Sequence, residues 1–183
     1  MAIIGLIGTA GRDKTKHMPL ELYLWMLRSA YMNIPKGSHV GSGGAAWADH
    51  LSVSLFLFGH ASELTLHLPA PFENGRYVGP PKGAAQAANF YHEQFSRIIK
   101  RDTLGQIAKA LTMPNVHVTY EKEMAGFGGF FARNAKVAKM DKLYAYTFGL
   151  GEEPADGGTK HTWDLCQNEK HHITLPNIEN WRS

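Results

Sequence analysis

Short apolar runs alternate along this chain with segments whose apolar residues recur at helical spacing. Residues 2–8 form a continuous apolar run, the pattern of a central strand covered on both faces. Pro19 stands where a helix would begin, and Leu20, Leu24, Leu27 and Tyr31 then supply one helical stripe. The turn Pro35-Lys36-Gly37 leads to a second strand over residues 38–42, and Trp47, Leu51, Leu55 and Phe58 mark a second helix. Residues 63–68 alternate as a third strand, whereas the Pro- and Gly-rich residues 69–83 read as an excursion over the surface. A long helical stretch over 84–101 carries Tyr91, Phe95, Ile98 and Ile99. A shorter one carries Leu104, Ile107, Ala108 and Leu111 before Pro114. Beyond it the pattern predicts strands at 116–120 and 142–148, helices at 127–140 and 159–167, and a closing strand at 172–175.

This alternation predicts an α/β protein: a Rossmann-like, doubly wound, mainly parallel sheet with helices on both faces and right-handed crossovers. At 183 residues the chain suits a single domain over its whole length. With 44% hydrophobic and 19% charged residues, disorder and collagen-like structure are excluded. The formal charge is +3, there is no Lys/Arg block, and Lys100-Arg101 is too short to mark a nucleic-acid groove. That small bias fits a phosphorylated small molecule at least as well. A single cysteine, Cys166, rules out an intramolecular disulfide, suits a reducing compartment and reads as a buried structural residue. The first apolar run is short and lacks a basic leader, and no stretch reaches the roughly 18 apolar residues of a membrane span. The expected location is cytoplasmic.

Glycine-rich turns follow the apolar runs. Gly8-Thr9-Ala10-Gly11-Arg12 ends the first strand, where glycine allows close approach to a ligand and Arg12 can grip phosphate with paired donors. Ser42-Gly43-Gly44-Ala45 precedes Trp47 and Asp49, and the spacing places Asp49 one turn into a helix, ready to bond a ribose hydroxyl or act as acid or base. Helix capping by an early carboxylate is the bland alternative. Gly126 to Asn134 forms another glycine-led helix start with Arg133 about one turn inside and a pair of phenylalanines assigned to the core. Asp156-Gly157-Gly158-Thr159 and the following Thr162 complete the set, with amides and a hydroxyl suited to an oxyanion. In an open parallel sheet such turns share the carboxyl edge and can face one ligand.

Other chemistry finds less support. The spacing is not G-x-G-x-x-G, and neither a G-x-S-x-G elbow nor a phosphate-loop sequence occurs. Ten histidines invite a metal, yet there is no H-E-x-x-H and no Cys/His spacing, and the adjacent His171 and His172 would point to opposite sides of a strand. No metal or other cofactor is expected. His92-Glu93 is a candidate acid/base pair on the long helix, with a solvated polar face as its alternative.

Taken together, the motifs resemble the SLOG superfamily, which joins the Rossmann-like domain of DNA-processing protein A with the Lonely Guy phosphoribohydrolases, and within it the small YspA-type members. The order that carries the resemblance is Gly8, Thr9 and Arg12; then Gly43, Gly44, Ala45, Ala48 and Asp49; then Arg133 and Asn134; then Gly158 and Thr159. It spans roughly residues 3 to 165. The resemblance implies a nucleotide or nucleotide-derived ligand, a nucleoside monophosphate or an ADP-ribose-like molecule. Some relatives cleave its N-glycosidic bond, and others only bind nucleotides or DNA. It also implies a homodimer. In the phosphoribohydrolases an Arg and a Glu of G-G-x-G-T-x-x-E are catalytic. Arg133 matches the Arg, while Thr162 stands at the Glu position, so Asp49, Glu93 or Glu123 would have to supply the carboxylate. A non-catalytic sensor or sequestering protein is the alternative, and a single-stranded DNA-binding protein a third, opposed by the weak charge.

Overall fold

The computed structural model describes residues 1–122, 127–155 and 157–178. Six parallel strands form the central sheet: β1 (Ile3–Gly8), β2 (His39–Ser42), β3 (Glu63–Leu68), β6 (Val116–Tyr120), β7 (Lys142–Thr147) and β8 (Glu169–Thr174). Their spatial order is β6-β3-β2-β1-β7-β8. The chain therefore winds outward from β1 to β6, then returns across the sheet to lay β7 against the other flank of β1. Ligands of doubly wound sheets bind where winding reverses, and here that point lies between β1 and β7. The protein has the expected Rossmann-like α/β architecture, with all six strands parallel.

Alternation along the central strands divides the core in two. Leu6, Tyr144 and Tyr146 face one layer with Val40, Leu64 and Leu66, beneath α1 (Leu20–Asn33), α2 (His50–Leu57), α3 (Ala84–Ile99) and α4 (Thr103–Leu111). Ile7, Leu143 and Ala145 face the other layer, against α5 (Gly128–Val137) and α6 (Gly158–Leu165), where Cys166 is buried. The register sets Gly5 opposite Gly41. Met140 fills the groove they leave, because a Cβ on either glycine would lie within 2.8 Å of its side chain.

Three details depart from the pattern of the sequence. In α1 the fully packed residues are Leu22, Tyr23, Met26 and Ala30, while Leu24 and Tyr31 are exposed. This helix is apolar on two adjoining stripes, and spacing alone does not select between them. Helix α2 is buried from His50 to Phe56, so it has no solvent stripe; Trp47 lies before it with φ 64°, and Phe58 beyond it is 61% exposed. The 69–83 excursion holds a small hairpin, β4 (Phe72–Glu73) with β5 (Arg76–Tyr77), whose Tyr77 is buried under the second glycine turn.

Candidate functional site

A cleft of about 740 Å³ opens at the carboxyl edge beside β1. Gly8, Thr9 and Arg12 form one wall, Gly43, Ala45 and Asp49 the floor, and Arg133, Asn134, Gly157, Gly158, Thr159 and Thr162 the opposite wall. Four stretches far apart in sequence thus meet in one hollow, of a size usual for small-molecule sites. Gly11, Ser42 and Gly44 support it from outside. A Cβ on Gly11 would lie 2.6 Å from the Trp47 indole nitrogen, Ser42 is fully buried, and the Gly44 carbonyl turns away from the cleft. Gly126, Glu123 and Asp156 lie outside the described residues.

The glycine turns differ in what their amides do. After β1 the Thr9 N–H donates to the Tyr146 carbonyl (2.9 Å) and the Gly11 N–H to the Thr9 hydroxyl (3.3 Å), and α1 does not begin until Leu20. This turn is therefore not a helix N-terminus. In the second turn Asp49 Oδ2 accepts the N–H of Gly43 (3.1 Å) and of Ala45 (3.2 Å), while Ser42 Oγ accepts that of Gly44 (3.3 Å). The protein's own carboxylate occupies the place anticipated for an external anion. Asp49 precedes α2 as its N-cap residue, rather than lying one turn inside it, and does not cap it with its side chain. The fourth turn is a helix N-terminus: Gly157, at φ 92°, leads into α6, whose first amides have no intrahelical acceptor, and Gly157, Gly158 and Thr159 line the cleft.

Asp49 is almost wholly buried. Burial pushes its carboxyl above the usual range, against the pull of Arg133, the Ala45 and Gly43 amides and Arg12. Arg133 Nη1 donates to the Gly43 carbonyl and Nε to Asn134 Oδ1 (2.8 Å), so the guanidinium braces the second turn as well as lining the cleft. Arg12 projects from the first turn, its guanidinium carbon 5.0 Å from the Tyr91 ring centre and 4.7 Å from that of Phe130. Cation–π contact on both sides holds its charge at the rim. Burial lowers its pKa and Arg133 adds to this, but Tyr91 and Asp49 oppose it and it stays a cation. Two arginines and one buried carboxylate, with the positive end of α6, make the hollow attractive to anions.

Thr162 donates its hydroxyl to the Gly158 carbonyl one turn back (3.1 Å), so the position matching the family Glu carries a helix-bonded hydroxyl. The phenylalanines separate: Phe130 is buried, whereas Phe127 and Phe131, 51% and 58% exposed, stand at the cleft as aromatic surface. Phe127, just before α5, stacks on Phe130 with ring centres 5.8 Å apart, so Phe130 is covered while its neighbours stay open.

His92 and Glu93 are not a pair in the site. Glu93 is on the surface with Arg76 (2.9 Å), while His92 is fully buried and donates from Nε2 to the Gly44 carbonyl (2.8 Å). Tyr77 donates to that same carbonyl (2.8 Å). The floor of the cleft is thereby held by hydrogen bonds accepted by Asp49 and donated by Arg133 on one side, and donated by Tyr77 and His92 on the other.

No family model matches the chain. It is 33% identical to "Uncharacterized protein R261" of Acanthamoeba polyphaga mimivirus, over 94% of this chain and 95% of the viral one. The chain belongs to the family of that viral protein. Among the described residues no helix is long and apolar enough to cross a membrane.

Proposed function

We propose that the cleft binds a nucleotide or nucleotide-derived ligand, a nucleoside monophosphate or an ADP-ribose-like molecule, and that Asp49 acts at its N-glycosidic bond. The observation that carries this reading is the meeting of Arg12, the open N-terminus of α6 and the buried Asp49 in one hollow at the winding reversal. Phosphate sits between the Arg12 guanidinium and the Gly158 and Thr159 amides. The base lies against the exposed faces of Phe127 and Phe131, and the sugar spans toward Asp49. A carboxyl raised by burial holds its proton more readily than a free aspartate, which suits it to general acid–base work. The resemblance to the SLOG superfamily supports the same ligand class and a homodimer.

A second reading, a sensor that binds without turnover, is favoured by Thr162. Its hydroxyl is committed to its own helix, and no carboxylate stands at that point. One experiment separates the two. The protein is incubated with a panel of nucleoside monophosphates, NAD and ADP-ribose, and released base or nicotinamide is followed by chromatography while calorimetry reports binding. Release abolished in Asp49→Asn supports the enzyme, tight binding without release supports the sensor, and no binding to any member rejects both.

A further inference from the structure

At the opposite, amino edge of the sheet, three side chains from three neighbouring strands converge. His39 opens β2, Glu63 opens β3, and His117 lies in β6; the parallel register pairs His39 with Glu63, and His117 with Thr65. His39 Nδ1 is 3.4 Å from Glu63 Oε2, and His117 Nε2 is 2.9 Å from the same oxygen. The three ligand atoms all lie within 4.8 Å of one another. We propose that this triad is a zinc site, with a water completing a four-coordinate shell.

Spacing supports it. Ligand atoms bound to one tetrahedral Zn²⁺ at about 2.0–2.1 Å stand about 3.3 Å apart, close to the separations already present. The outer shell supports it too. His39 Nε2 is hydrogen-bonded to the Thr65 hydroxyl at 2.7 Å, which orients the ring and leaves Nδ1 turned toward Glu63. A cation set between His39 Nδ1, Glu63 Oε2 and His117 Nε2 would neutralise the carboxylate and accept both imidazole nitrogens. Two imidazoles and one carboxylate are a donor set suited to zinc, and the exposed flank of His117 leaves room for water. The bound ion would tie edge strand β6 to β2 through β3, remote from the cleft.

The test uses the full-length, tag-free protein after chelator treatment, titrated calorimetrically with Zn²⁺, with Co²⁺ absorption reporting geometry. The expected result is one Zn²⁺ per chain, a raised melting temperature, an intense visible Co²⁺ band of low coordination number, and no retention of Mg²⁺. His117→Ala and Glu63→Gln, both at accessible positions, should each weaken binding at least tenfold. Thr65→Val, which keeps all three ligands, should weaken it about tenfold. His171→Ala removes a surface histidine paired with Glu169 on β8 and should leave binding unchanged. Circular dichroism confirms that each variant is folded. Absence of stoichiometric binding, binding indifferent to His117→Ala and Glu63→Gln, or binding lost in His171→Ala would each overturn the site.

Discussion

Asp49 Oδ2 receives the amide hydrogens of Gly43 and Ala45, at 3.1 and 3.2 Å, so one carboxylate shapes the floor of the cleft from within. Asp49→Ala leaves two donors without their acceptor, each costing about 1–3 kcal/mol where water cannot reach it. A loss of about 3 kcal/mol in urea unfolding is expected. Asp49→Asn keeps an acceptor. Burial raises the wild-type carboxyl, so its contribution to stability falls as pH rises above the ordinary 3.8, and asparagine lacks that loss. Stability within about 1 kcal/mol of wild type at pH 7, together with lost base release, is therefore expected of Asp49→Asn. A large destabilisation would mean that charge, not shape, holds the turn.

Gly43→Ala tests the brace from Arg133. An added Cβ would come within 2.7–2.8 Å of three Arg133 side-chain atoms, and that side chain is buried with little room to retreat. Overpacking of this kind costs about 1–3 kcal/mol. The melting temperature should drop and ligand affinity with it. Unchanged affinity in the folded variant would show that the Arg133 position is irrelevant to binding.

Arg12→Ala separates binding from folding. The guanidinium lies between two rings at the rim and is not in either hydrophobic core. Stability should change by less than about 1 kcal/mol, while affinity for a phosphorylated ligand falls by about tenfold or more. Calorimetry with a nucleoside monophosphate and its unphosphorylated nucleoside measures this. An equal loss for both ligands would contradict a phosphate role.

The buried histidines make the fold sensitive to acid. Burial lowers His92 from 6.5 to about 4 and His50 to about 3. Between pH 6.5 and these values the unfolded chain takes up protons that the folded protein refuses. Stability from His92 is complete above about pH 6.5 and is lost as pH falls toward 4, by about 2 kcal/mol at pH 5 given ~1.4 kcal/mol per unit. Urea unfolding at pH 7 and pH 5 should therefore show a loss about 2 kcal/mol smaller in His92→Gln than in wild type. Equal losses would show that His92 does not refuse the proton.

Strands were legible where local pattern suffices. The run at β1 and the alternation at β3 predicted the observed elements within a residue or two, because strand faces are written in adjacent residues. The four stretches that line the cleft were legible as a group, since β-strand ends followed by glycine lie on one edge in any parallel sheet. Their hydrogen bonding was not legible. Whether the Gly43 amide meets solvent or Asp49 depends on a turn before α2 that residue types do not encode, and the role of His92 depends on packing 48 positions away. The His39, Glu63 and His117 cluster was equally hidden, since it exists only through cross-strand register, with 54 positions between its last two members.

The winding order has a further consequence for how the molecule is made. On one side β1 pairs with β2, which follows closely, but its other partner is Lys142–Tyr146. A nascent chain leaving the ribosome must keep that flank of its most apolar strand bare until residues 142–146 have emerged. A bare flank can template pairing with another chain. Truncations ending before residue 142 should aggregate rather than yield a smaller folded core.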